Sequence, residues 1–126
     1  MEIRSRFDHF NINVQDLERS LAFYDKALGL REIKRKEAAD GSFILAYLGD
    51  QESGFRLELT WLRDHAGKPY ELGENESHLC VRVPGDYQAV REYHRAMGCI
   101  AYENHDMGLY FIADPDDYWI EVLPDK

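Results

Sequence analysis

The chain has 126 residues, of which 24 are acidic and 15 basic, for a net charge of -9. That length suits one compact domain and is too short for two independent ones of ordinary size, so any internal duplication must share a core. The negative charge opposes nucleic acid and anionic membranes, Lys34-Arg35-Lys36 is too short a basic run to reverse it, and no apolar stretch reaches membrane-spanning length.

The N-terminus carries no apolar segment of the kind that directs secretion, and Cys80 and Cys99 read as free thiols, so the expected location is cytoplasmic. Phe7 to Val14 has the character of a strand. Asp16 is placed to cap a helix whose apolar stripe is Leu17, Leu21, Tyr24 and Leu28, and Gly29 closes it. Arg31 to Glu37, Phe43 to Leu48 and Phe55 to Leu62 follow as strands, separated by turns at Asp40-Gly41 and Gly49-Asp50. A polar linker, residues 64–76, separates this first module (1–63) from a second (77–126).

The second module repeats the order. His78 to Val83 is a strand, Asp86 caps a helix with an inner stripe of Val90, Tyr93 and Met97, and Gly98 ends it. Cys99 to Asn104, Leu109 to Ala113 and Tyr118 to Leu123 complete three more strands, with Asp114-Pro115-Asp116-Asp117 as the last turn. The expected fold is α+β, two tandem βαβββ modules in a single domain. His65, His94 and His105 read as surface residues, and Cys80 as a small buried thiol.

Aligned on each other, the modules match His9 with His78 at the head of the first strand. Leu57-Glu58-Leu59 likewise matches Ile120-Glu121-Val122 in the last strand. Strand side chains alternate, so Glu58 and Glu121 face away from the aliphatics beside them, onto the face opposite the core. Two imidazoles and two carboxylates suit a divalent ion such as Ni²⁺, Co²⁺, Zn²⁺ or Mn²⁺ and leave positions for a substrate with two adjacent oxygens. Arg56 and Arg82 share that face by parity. They either bind a carboxylate of substrate or cosubstrate or pair with neighbouring acids.

Asp8-His9-Phe10, Asp16-Leu17-Glu18-Arg19-Ser20, Phe23-Tyr24, Leu28-Gly29, Leu57-Glu58-Leu59-Thr60, Tyr70-Glu71-Leu72-Gly73, His78, Asp114-Pro115-Asp116 and Ile120-Glu121 span nearly the whole chain in a characteristic order. In this pattern the chain resembles the vicinal oxygen chelate superfamily, and within it the short bacterial type of glyoxalase I (lactoylglutathione lyase). The resemblance implies a metal held by His9, Glu58, His78 and Glu121, with Ni²⁺ or Co²⁺ favoured. It also implies isomerisation of the hemithioacetal of methylglyoxal and a thiol to an S-2-hydroxyacyl thioester through an enediolate. Glu121 would be the proton-transferring base and Glu58 its pseudo-symmetric partner. A small-molecule substrate and a homodimer with sites at or near the subunit interface are implied as well.

Glutathione-using relatives commonly carry Arg and Asn where this chain has Asn13 and Leu62. The thiol is therefore open between glutathione and another, with Asn13, Arg56 and Arg82 as the residues placed to contact it. Two other readings use the same fold: an acyl-thioester epimerase, against which Glu58 stands, and a metal-free binding or resistance protein. A ring-cleaving dioxygenase would need only two His and one carboxylate around Fe(II) and a longer chain.

Overall fold

A computed structural model describes residues 1–125 and divides the chain into two compact units, Met1–Tyr70 and the segment from Glu71 onward. In the first unit, strand β1 (His9–Asn13) leads into helix α1 (Leu17–Leu28), followed by β2 (Arg31–Glu37), β3 (Phe43–Gly49) and β4 (Arg56–Leu62). In the second, β5 (Leu79–Val83) precedes helix α2 (Tyr87–Met97), then β6 (Ile100–Asn104), β7 (Leu109–Ala113) and β8 (Trp119–Pro124). The sheets run β1-β4-β3-β2 and β5-β8-β7-β6. In both, the first and last strands are parallel neighbours and the other pairings are antiparallel. The expected βαβββ order therefore occurs twice.

Both helices begin and end by the same devices. The Asp16 and Asp86 carboxylates accept from the amides of Arg19 and Ala89 at 3.1 Å, satisfying a donor that the first turn leaves free. Gly29 and Gly98 adopt φ of 66° and 73°, the left-handed conformation that lets the chain leave the helix at once.

The helix stripes differ from the sequence reading. Along α1 the buried residues are Leu17, Ser20, Tyr24 and Ala27, while Leu21 and Leu28 are half-buried. The inward face of the helix thus mixes the large Leu17 and Tyr24 with the small Ser20 and Ala27. Along α2 the buried residues are Arg91 and His94, and Tyr93 is exposed. The sheet beneath offers Tyr110 as a polar partner: its hydroxyl lies 2.8 Å from His94 Nδ1 and its ring lies under the Arg91 guanidinium at 5.5 Å. His94 is thus a core residue and not a surface one, because a buried imidazole is tolerated where a hydroxyl meets it.

Ile12, Val14, Ala46, Leu48, Leu57 and Leu59 form the apolar face of the first sheet, and Ile112, Ile120 and Val122 lie buried in the second. Burying these faces drives each unit to close. Alternation then leaves the residues between them, Glu58 and Glu121 among them, on the opposite face of each sheet.

Candidate metal centre

In the first unit, β1 and β4 run parallel, with His9 opposite Arg56 and Asn11 opposite Glu58. His9 Nε2 lies 3.7 Å from Glu58 Oε1. The other ring nitrogen, Nδ1, is 2.6 Å from the Asp8 carboxylate. That contact assigns the proton to Nδ1 and leaves Nε2 with its lone pair toward Glu58, the arrangement in which a carboxylate orients a metal-binding imidazole. Asp8 is held in turn by Arg56, whose Nη2 donates to both of its oxygens at 2.9 Å. His9 and Arg56 together hold the Asp8 carboxyl below its usual range, the hydrogen bond from His9 being the larger cause.

In the second unit, His78 immediately precedes β5, and its Nε2 lies 3.1 Å from Glu121 Oε1. Cys80 stands opposite Glu121 across the parallel β5–β8 pair. Its thiol is exposed, contrary to the buried position expected of it, because the opening strand lies at the sheet edge. Partial desolvation and the Glu121 charge push that thiol above its usual range, so it is a poor nucleophile.

Each unit thus presents one imidazole nitrogen and one carboxylate oxygen to a common point. The imidazoles are 37% exposed, whereas Glu58 is 12% and Glu121 17% exposed, so the carboxylates are recessed and the imidazole edges open outward. Within each pair, a borderline nitrogen beside a hard oxygen is the kind of donor combination that suits a divalent first-row ion. Among the described residues, no three His, Cys, Asp or Glu side chains converge tightly enough to hold an ion. The pair is the unit of construction.

The walls of the two half-sites differ. Tyr47 stands opposite Glu58 on β3, edge-on to His9 at 5.6 Å between ring centres. The neighbouring Glu58 carboxylate, with desolvation second, raises the Tyr47 phenol above its usual range. The Arg56 guanidinium and the Lys34 ammonium both lie 5.4 Å from the centre of the Tyr47 ring. At the matching place in the second unit, Phe111 stands opposite Glu121, edge-on to His78 at 5.0 Å. Phe111 and Trp119 join Glu74, Asn75, Glu76 and His78 around a concavity of about 420 Å³. An aromatic-walled hollow with a few polar groups and an imidazole is a place for a small organic molecule.

Of the residues expected to contact a thiol, Arg56 is committed to Asp8, and Arg82 donates from Nη1 to the Pro124 carbonyl at 2.9 Å. Asn13 accepts from the Asn11 amide at 2.9 Å. Arg56 Nε is buried with no partner, an orphan on the wall of the half-site. Asp8 and Tyr47 are the functional neighbours that the sequence reading did not single out. Asp8 was signalled by lying next to His9. Tyr47 becomes visible only once β3 is registered against β4.

A family model described as the Glyoxalase/Bleomycin resistance protein/Dioxygenase superfamily matches residues 6–122. The chain belongs to this superfamily. Curated members with lactoylglutathione lyase as their name include one from Neisseria meningitidis, 34% identical over 96% of this chain and 91% of that protein. Another, from Pseudomonas aeruginosa, is 30% identical over 93% and 81%. Among solved glyoxalase structures, the trypanothione-dependent glyoxalase I of Leishmania major superposes with a TM-score of 0.81 at 30% identity, covering 96% of this chain and 87% of that one. The glyoxalase I of Zea mays gives 0.78 at 25% identity, over 93% of this chain and 43% of the maize protein.

Proposed function

We propose that this member of the glyoxalase superfamily is a glyoxalase I-type lyase, isomerising the hemithioacetal of methylglyoxal and a thiol to an S-2-hydroxyacyl thioester. The observation that carries the reading is the repeated pair: His9 with Glu58, and His78 with Glu121, each with Nε2 facing a carboxylate oxygen. The two pairs make up the four ligands of one divalent ion, Ni²⁺ or Co²⁺ ahead of Zn²⁺ or Mn²⁺. The two βαβββ modules, joined by residues 64–76, work as one domain, and a homodimer carries its sites at or near the subunit interface. Two free thiols among the described residues agree with a cytoplasmic location.

When bound, a divalent ion supplies the polarisation of the substrate's two neighbouring oxygens that makes the carbon-bound proton acidic. Asp8 keeps the His9 proton on Nδ1 and so keeps Nε2 free to ligate. Phe111 and Trp119 cover the substrate's carbon skeleton in the hollow beside His78 and exclude water. Glu121 takes the proton from the carbon that bears sulfur and returns it to the neighbouring carbon, with Glu58 as its pseudo-symmetric counterpart. The hydroxyl proton moves between the two oxygens, so the reaction is redox-neutral and needs no further reagent.

The decisive experiment is a thioester-formation assay with methylglyoxal, a panel of thiols including glutathione, and added Ni²⁺, Co²⁺ or Zn²⁺. Metal-dependent product is expected with at least one thiol, and Glu121→Gln is expected to lower kcat by about a hundredfold or more. No product in any combination overturns the reading. A metal-free protein whose activity does not respond to added ion overturns the ligand set.

A further inference from the structure

The hollow beside His78 has a chemical bias that metal binding does not require. Its lining of Glu74, Asn75, Glu76, His78, Phe111 and Trp119 lies wholly in the second unit. Two aromatic side chains and two carboxylates therefore border one concavity of about 420 Å³. The carboxylates of Glu74 and Glu76 have no ion pair or hydrogen bond among the described residues. No lysine or arginine joins them in the lining. The arginines of this unit are engaged elsewhere, Arg82 with the Pro124 carbonyl and Arg91 and Arg95 with Glu103.

Rim and wall are both held in place. Asn75 stands between the two acids and donates from Nδ2 to the Asp117 carbonyl at 2.8 Å, tying their segment to the turn before β8. On the wall, Tyr102 stacks on Trp119 with 13° between the planes and 6.3 Å between centres, and Phe111 lies 5.4 Å from the same indole.

We propose that this hollow is an ammonium-binding site, and that the thiol cosubstrate places a positive charge in it. The inference rests on the glyoxalase-type reading of the site and names the class of its thiol. Aromatic faces attract a cation through their quadrupole, and the attraction grows as the cation leaves water. Two unpaired carboxylates at the rim add Coulombic attraction and repel an anionic tail. A carboxylate-bearing thiol would find no free guanidinium in the lining to receive it. Because rim and wall are already ordered, little is lost in arranging them around the ligand.

Choline and 3,3-dimethylbutan-1-ol, one shape with and without the charge, test the site without any reaction. Titrated into the protein with Ni²⁺ added and followed by calorimetry, choline is expected to bind about tenfold more tightly. Glu74→Gln/Glu76→Gln is expected to abolish that preference, while circular dichroism and an unchanged unfolding midpoint exclude a folding defect. In the thioester assay, thiocholine is expected to show a KM about tenfold below that of 3,3-dimethylbutane-1-thiol at similar kcat, with 3-mercaptopropionate the poorest of the three. The double variant should bring the first two KM values together. Equal binding of the two alcohols, or a preference that survives in the double variant, overturns the ammonium site. A choline preference without thioester from any thiol overturns the proposed function and leaves the site standing. Thioester formed equally well from the charged and the neutral thiol overturns the cationic cosubstrate and leaves the function.

Discussion

Arg91 brings a charge into the second unit and Glu103 neutralises it. The guanidinium is 9% exposed, with Nε 3.0 Å from Glu103 Oε1, which also accepts from Arg95 at 2.8 Å. Arg95 and Arg91, in that order, hold the Glu103 carboxyl below its usual range. Because its folded pKa lies below the value of about 4.3 in an unfolded chain, Glu103 stabilises fully above that pH, and the contribution fades as pH falls through the lower, folded value. Glu103→Gln should therefore be less stable than wild type at pH 7, with the gap closing below about pH 4. Urea titrations across that range measure it, and a gap independent of pH would refute the assignment. Next to this pair, Tyr110→Phe strips the buried His94 of its hydroxyl partner. A loss of about 1–2 kcal/mol in unfolding free energy is expected. Neither partnership was legible in the sequence. Helical periodicity identifies apolar stripes, and here the inward face of α2 is polar, satisfied by a tyrosine from a strand that follows it.

Among the elements, the strands and helices were legible almost to their ends because alternation, aspartate caps and glycine stops all agreed. The aspartate caps make the prediction at this scale. Asp16→Ala and Asp86→Ala each remove an acceptor from a first-turn amide, and each should cost about 1 kcal/mol, read as a lowered denaturant midpoint at constant slope. The histidine–glutamate pairs were legible for the same reason: parity placed both glutamates off the core face, and repetition paired each with a histidine. What parity does not give is the cross-strand neighbour. The register shifts between Glu32 and Lys34 and again between Ile100 and Tyr102, at matching places in the two sheets. Register across such a strand cannot be counted from the sequence. The commitments of Arg56 to Asp8 and of Arg82 to a carbonyl were hidden likewise, since charge pairing depends on rotamers and not on spacing.

For the whole molecule, the proposed four-ligand site would make stability and metal binding one equilibrium. An ion that takes ligands from both modules binds the folded chain and not the unfolded one, and at a hundred times its dissociation constant it adds about 2.7 kcal/mol. Added Ni²⁺ should raise the melting temperature of wild-type protein. Glu58→Gln and Glu121→Gln should each abolish most of that rise, although they lie in different modules. A rise retained in either variant would show that the two pairs do not share an ion. Sedimentation of the protein with and without metal checks the proposed homodimer.

The parallel pairing of first and last strands sets a timetable for the nascent chain. The helix and the β2–β3–β4 meander can pair as they emerge, but β1 has no neighbour until β4 is made. β5 must wait in the same way for β8, and His78 is separated from Glu121 by 43 positions. During synthesis β4 emerges before β8, so the half-site of His9 and Glu58 can close ahead of that of His78 and Glu121. The half-site of His78 and Glu121 closes only with the last strand of the chain. If the proposed ion takes ligands from both pairs, its full ligand set exists only once β8 has paired with β5.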